Sequence, residues 1–152
     1  MYLKDVVSSF DVEYFDPPYG EFTIARILKA TEGRKTPVFR GVGDGFTGVG
    51  NLVDTREKLF TLLGVSNDEE AYIKLLSAVE NPGRVELVST WRDMYREVDS
   101  LRKLPMVRYY EKEPTPYITS GVVTGVGPHG VMNASIHRFS PLGDRRAVVR
   151  LV

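Results

Sequence analysis

The residues with the types and spacing to do chemistry sit in one short stretch, Asn133-Ala134-Ser135-Ile136-His137-Arg138. In a regular strand, side chains alternate between faces. Asn133, Ser135 and His137 therefore share one face, flanked by Val131 and Phe139. Three polar side chains in a row mean either solvent or a polar site, and the pattern alone favours solvent. Arg138 points to the other face unless a bulge re-aims it.

Two other features invite a chemical reading. Gly43-Asp44-Gly45-Phe46-Thr47-Gly48 matches the G-x-G-x-x-G dinucleotide fingerprint. That fingerprint works only where its last glycine opens a helix whose N-terminus meets the pyrophosphate. Here Val49-Gly50-Asn51-Leu52-Val53 follows and the next helix waits until Asp54, so the stretch reads as a turn between strands. His129 lies in a Pro-His-Gly turn and reads as an exposed turn histidine. His137 is the only other histidine, so a His-rich metal site cannot form. The absence of cysteine removes disulfides, thiolate zinc sites and a cysteine nucleophile.

The elements that must position these residues follow from hydrophobic spacing. Leu3, Val6, Val7 and Phe10 repeat at helical intervals, and Asp16-Pro17-Pro18-Tyr19-Gly20 breaks that helix. Phe22, Ala25 and Leu28 predict a second helix ending near Gly33. Thr36 to Arg40 reads as a strand. Asp54-Thr55-Arg56-Glu57 predicts a helix start with Asp54 at the N-cap, an apolar side of Leu59, Phe60, Leu62 and Leu63, and a stop at Gly64. Asn67 or Asp68 caps the next helix, whose face is Tyr72, Leu75, Leu76 and Val79. Thr90-Trp91-Arg92-Asp93 is a capping box ahead of Trp91, Met94, Tyr95, Val98 and Leu101 at helical spacing. After Pro105 the character changes. Tyr117–Val126, Val131–Phe139 and Arg145–Val152 read as strands of a meander, joined by turns at Gly127-Pro128-His129-Gly130 and Pro141-Leu142-Gly143-Asp144.

The 152 residues carry 42% hydrophobic and 26% charged content, the composition of an ordinary globular chain. Twenty basic residues offset twenty acidic ones, so nothing points to nucleic acid or an anionic membrane. No apolar run has the length of a membrane span, and residues 1–10 lack the pattern of a signal peptide. The cytoplasm is the default location.

Several segments resemble, in order, the UbiD family of prenylated-flavin-dependent decarboxylases. Pro37-Val38-Phe39-Arg40-Gly41-Val42 is similar to the family's early strand. Val49-Gly50-Asn51-Leu52, Thr55-Arg56-Glu57 and Leu62-Leu63-Gly64 look like its "GNL…SRE…ALG" helix entry. Leu104-Pro105-Met106-Val107 and Pro116-Tyr117-Ile118-Thr119-Ser120-Gly121 resemble the domain junction and first barrel strand. Asn133 to Arg138 resembles the cofactor-binding strand, N-x-[SG]-[IM]-x-R. No single piece is specific; the ordered set is.

The resemblance implies an α+β fold. A helix-rich N-terminal α/β domain, residues 1–104, would precede the first strands of a split β-barrel of flavin-reductase type, residues 105–152, with the barrel incomplete. It implies reversible decarboxylation of an α,β-unsaturated or aromatic acid with prenylated FMN, a divalent metal (Mn or Mg) and potassium. Asn133 would be a metal ligand through its amide oxygen and would also belong to the cofactor-binding set. Ser135, Ile136, His137 and Arg138 would contact the flavin, Ile136 and His137 through their backbone. Arg138 would be the arginine of a Glu-Arg-Glu catalytic network, and Leu151 would line the substrate pocket. A flavin prenyltransferase would supply the cofactor. The family's metal-binding histidine and glutamate and both catalytic glutamates have no counterpart here. The expectation is therefore the N-terminal part of such an enzyme, inactive alone. The alternatives are a small subunit that completes its site with another chain and a non-catalytic scaffold. The apolar run Ala147–Val152 needs a partner strand, so association with a second copy is also expected.

Overall fold

The structure is a computed structural model, and it describes residues 3–84, 89 and 96–149. The fold is mixed α+β with two small open sheets, as expected. The elements are α1 (Leu3–Val7), β1 (Val12–Phe15), α2 (Thr23–Thr31), β2 (Thr36–Val42), β3 (Phe46–Val49), α3 (Arg56–Leu63), α4 (Asp68–Glu80), a 3-10 turn (Leu101–Lys103), β4 (Ile118–Val126), β5 (Met132–Pro141) and β6 (Ala147–Val149). The sheet orders are β1-β2-β3 and β4-β5-β6. Contacts divide the chain into two compact units, neither of them continuous in sequence. One comprises Met1–Glu13, Thr31–Pro37 and Val49–Glu97; the other comprises Tyr14–Ala30, Val38–Gly48 and Val98–Val152.

In the first unit the loop-to-helix entry is built around a charge pair. Thr55, not Asp54, is the N-cap of α3, and its hydroxyl accepts from the Lys58 N–H. The cap sits one residue later than the sequence predicts because Asp54 is used elsewhere. Its carboxylate accepts from the Gly33 N–H at 2.7 Å and pairs with Lys58 at 2.8 Å. Lys58 Nζ also donates to the Asn51 carbonyl at 2.8 Å. Asn51 holds a positive φ of 52°, which asparagine tolerates better than most residues, and its side chain donates to Thr31 Oγ1 at 3.0 Å. Gly64 ends α3 in the left-handed conformation, as the sequence indicates.

Helix α4 is capped by Asn67, whose side chain accepts from the Glu70 N–H. Its expected packing face is corrected: Tyr72, Leu75, Leu76 and Val79 are exposed, and Ala71 is the buried residue of this helix.

The second unit packs around Phe39, among the most buried residues of the chain. Phe15 stacks on it with centroids 5.7 Å apart, and Tyr19 meets it edge-on at 6.0 Å. Burying a ring of this kind stabilises a fold by roughly 1.5–3 kcal/mol. The glycine-rich stretch is a hairpin turn into β3, not a helix entry, which removes the dinucleotide reading. Gly43 has φ +59°, and a Cβ there would stand 2.5 Å from the Lys103 carbonyl oxygen. Only glycine lets the turn dock on the 3-10 turn, where the Asp44 N–H donates to Lys103 O at 2.9 Å.

The helix predicted behind Thr90 lies mostly outside the described residues, but residues 96–100 are not helical. The cause is local. Ser100 caps the 3-10 turn, donates to Asp144 Oδ1 at 2.8 Å, and is followed by Leu101, whose N–H donates to the Asp144 carbonyl at 2.7 Å. The backbone here is held by the β5–β6 turn, so it cannot continue a helical ladder.

Candidate functional site

The candidate site is the β4–β5 ladder. Its register follows from the turn between the strands. Gly130 adopts φ +77°, its N–H donates to Gly127 O, and the Gly127 N–H donates to Val131 O, both at 2.9 Å. Val126 then pairs with Met132, Gly125 with Asn133, Val123 with Ser135 and Gly121 with His137. Between Ile118↔Phe139 and Gly121↔His137 the register shifts. Three steps on β4 match two on β5, so β4 carries one extra residue opposite Arg138.

Paired residues share a face. One face therefore carries Asn133, Ser135, His137 and Phe139, with Gly125, Val123 and Gly121 across from the first three. Ser135 Oγ and His137 Nε2 are 2.6 Å apart, so the structure brings these two together. Asn133 lies two residues further along, its Oδ1 accepting from the Ala134 N–H at 2.9 Å. The glycines differ in surroundings. A Cβ at Gly121 would meet the Phe139 ring at 2.4 Å, whereas nothing lies within 4 Å of one at Gly125. The aromatic ring fills one notch, and the notch opposite Asn133 is open.

Arg138 leaves β5 on the opposite face, with Ile136. Its guanidinium lies over the Tyr117 ring, 5.5 Å from the centroid. Ile136 and Val122, paired on this face, are 71% and 68% exposed, so an apolar surface adjoins the cation. The two faces meet at an edge. Strand β6 pairs only with Phe139, Ser140 and Pro141. Along residues 133–138 one side of β5 has no strand partner among the described residues, and backbone groups there are available to a ligand. Leu151 lies outside the described residues.

Whether these residues fit the groups named above follows from their chemistry. A flat polar cofactor would meet no obstruction: nothing lies within 4 Å of a Cβ at Gly125, and the amide of Asn133 and the hydroxyl of Ser135 are exposed beside it. A divalent cation does not fit on these residues alone. It takes about six oxygen donors, and Asn133 offers one, already engaged by Ala134. No cluster of three or more His, Cys, Asp or Glu side chains suited to a metal occurs among the described residues. None of the helices there is long and apolar enough to cross a membrane.

Sequence reasoning named the β5 residues but not their partners on β4. Gly121, Val123 and Gly125 recur at a spacing of two, the signature of one strand face, but which of them faces Asn133 depends on the turn length. Tyr117 was also missed as a partner of Arg138, because a bulge cannot be read from residue types.

Residues 85–152 match the family model described as UbiD, 3-octaprenyl-4-hydroxybenzoate carboxy-lyase Rift-related domain. The chain is 39% identical over 133 residues to an anhydromevalonate phosphate decarboxylase of Aeropyrum pernix, covering 87% of this chain and 30% of that protein. It is 40% identical over 144 residues to one of Methanosarcina mazei, covering 93% and 32%. The chain thus spans about a third of the length of the curated relatives it matches. Among solved structures it resembles the UbiD-class enzyme HmfF from Pelotomaculum thermopropionicum. The match to the FMN complex has a TM-score of 0.80 at 28% identity, covering 93% of this chain and 34% of that one. The match to an evolved dimeric form in complex with prFMN has a TM-score of 0.79 at 27% identity, covering 93% and 35%.

Proposed function

Because the chain belongs to the UbiD family, we propose that it is part of a carboxy-lyase that reversibly decarboxylates an α,β-unsaturated or aromatic acid with prenylated FMN. The observation that carries this reading is the exposed polar face of β5, set opposite an open glycine notch within the segment that matches the family domain. On this reading residues 105–152 are the first strands of the cofactor-binding barrel, and residues 1–104 form the domain before it.

Each residue has a stated task. Ser135 hydrogen-bonds the flavin, with His137 2.6 Å away fixing the hydroxyl's orientation. The backbone of Ile136 and His137, on the open edge of β5, contacts the cofactor between the two faces. Asn133 would offer its amide oxygen, which now accepts from Ala134, to a divalent metal, Mn or Mg, only alongside donors from outside the described residues, and potassium would likewise need donors from there. The fork of N–H donors on Arg138 matches a carboxylate. It holds the acid group of the substrate, whose apolar part lies against Ile136. When bound, prenylated FMN would supply the electron sink that decarboxylation needs. The anhydromevalonate phosphate decarboxylases among the relatives make a phosphorylated acid one substrate to assay.

The second reading is a small subunit or non-catalytic scaffold that pairs with another chain. The missing metal donors favour a site completed by residues beyond those described, and both readings share that requirement. The test is the purified chain itself. It should carry no flavin absorbance and release no carbon dioxide from the acid, and both should appear once the remaining barrel is supplied. Stoichiometric flavin on the chain by itself would overturn this division of labour. Absence of both from the completed assembly would overturn the enzyme reading in favour of the scaffold.

A further inference from the structure

We propose that Tyr117 is a positioning residue for Arg138, holding its guanidinium flat so that the N–H edge is presented to a carboxylate. This rests on the reading that Arg138 meets the acid group of the substrate. The guanidinium carbon lies 5.5 Å from the Tyr117 ring centroid, and no carboxylate pairs with Arg138 among the described residues. The arrangement follows from the bulge. Continuing the Ile118↔Phe139 register back by one residue sets Tyr117 opposite Ser140. Tyr117 and Arg138 are then diagonal neighbours on one face, within reach of an aromatic and a long side chain. Tyr117 is the anchored member: it is half-buried and bridges to Val107, while Arg138 is exposed.

The network that the resemblance implies would bring carboxylates, like the substrate's own, to the N–H donors of Arg138. An aromatic face attracts the cation through its π cloud and leaves those donors free. The ring therefore restricts orientation without using up binding capacity. The tyrosine hydroxyl plays no part in this, so phenylalanine should substitute.

The experiment uses Tyr117→Phe, Tyr117→Leu and Arg138→Ala. In the chain itself, the Arg138 δ-proton resonances should be shifted upfield by the ring, remain so in Tyr117→Phe, and return to ordinary values in Tyr117→Leu. In the flavin-loaded assembly that contains this chain, Tyr117→Leu should raise KM for the acid about five- to tenfold. Tyr117→Phe should stay within about twofold of the parent, and flavin absorbance should be unchanged in both. An unshifted Arg138 resonance in the parent chain would overturn the proposal. So would a Tyr117→Leu enzyme with parental KM while Arg138→Ala is disabled. Arg138→Ala with parental activity would instead overturn the assignment of Arg138 to the substrate, and this proposal with it.

Discussion

An Arg138→Ala variant of the flavin-loaded assembly is expected to lose about two to three orders of magnitude in kcat/KM, the scale of removing one preorganised charge donor from a reacting group. Its flavin absorbance should be retained. The expectation follows from where the side chain goes. Arg138 leaves β5 away from Asn133, Ser135 and His137, on the face that also carries Ile136 and Val122, with its guanidinium over the Tyr117 ring. Its loss should therefore leave the contacts expected of Asn133, Ser135 and the Ile136–His137 backbone standing. Arg138→Lys keeps the charge but not the planar fork, so it should recover only part of the loss. Asn133→Ala should give the converse result: reduced flavin and metal content, with activity falling in proportion to occupancy. Kinetics and absorbance per chain, measured on all three variants, separate the two roles. Equal loss of flavin from Arg138→Ala and Asn133→Ala would contradict the division of labour between the faces.

The second large effect is on stability. Replacing Lys58 by methionine should destabilise the fold by about 1–3 kcal/mol, because it leaves a largely covered carboxylate without its cation. Lys58 and Asp54 side chains are only 11% and 12% exposed and sit 2.8 Å apart. The same ammonium also donates to the carbonyls of Asn51 and Lys35, at 2.8 and 3.4 Å, so two stretches of the unit, at Lys35 and along residues 51–54, lose a common partner. A double variant, Lys58→Met with Asp54→Leu, should cost less than the sum of the single changes. Urea unfolding midpoints of the four proteins check this.

The pH dependence of that pair has a definite sign. Burial pushes the Asp54 carboxyl up. The Lys58 hydrogen bond, the Gly33 N–H and the Lys58 charge outweigh it and hold the group below its ordinary 3.8. A carboxyl whose folded value is depressed stabilises the fold fully above its unfolded value, and that contribution is lost as pH falls through the folded one. The gap between the parent and Lys58→Met should therefore be widest near neutral pH and narrow below about pH 4.

Much of this architecture is legible in residue types. Gly64 and Asn67 mark helix ends because their backbone and side-chain chemistry admits few other places, and both do so in the structure. The turn at Gly127–Gly130 and the alternation from Val131 onward announce the β4–β5 hairpin. What fails is the choice among equivalent partners. Asp54 and Thr55 are both good caps, and the buried Lys58 decides between them. Strand β1 escapes notice because Val12–Phe15 is short and half-exposed, with no long alternation to betray it. The exposed face of α4 shows the limit of periodicity: spacing identifies an apolar face but not what covers it.

The same limit applies to the site. Types and order of residues from Asn133 to Arg138 identify the strand only together with the other segments that resemble the family in order; the polar run by itself reads as a solvent face. They do not reveal that Gly125 leaves open space opposite Asn133, or that Phe139 closes the space at Gly121. Both depend on register, and the register depends on one turn and one bulge.

The central claim, that the Asn133–Ser135–His137 face and the adjoining edge of β5 are the flavin contacts, is tested most directly by titrating FMN into the isotopically labelled chain and following backbone resonances. With the other contacts missing, binding in the millimolar range is expected, about 4 kcal/mol. The perturbed residues should be Gly125, Asn133, Ser135, Ile136 and His137, with little change in the Gly43–Gly48 turn. Perturbations centred on that turn or on α2, or none at these positions up to several millimolar FMN, would contradict the account.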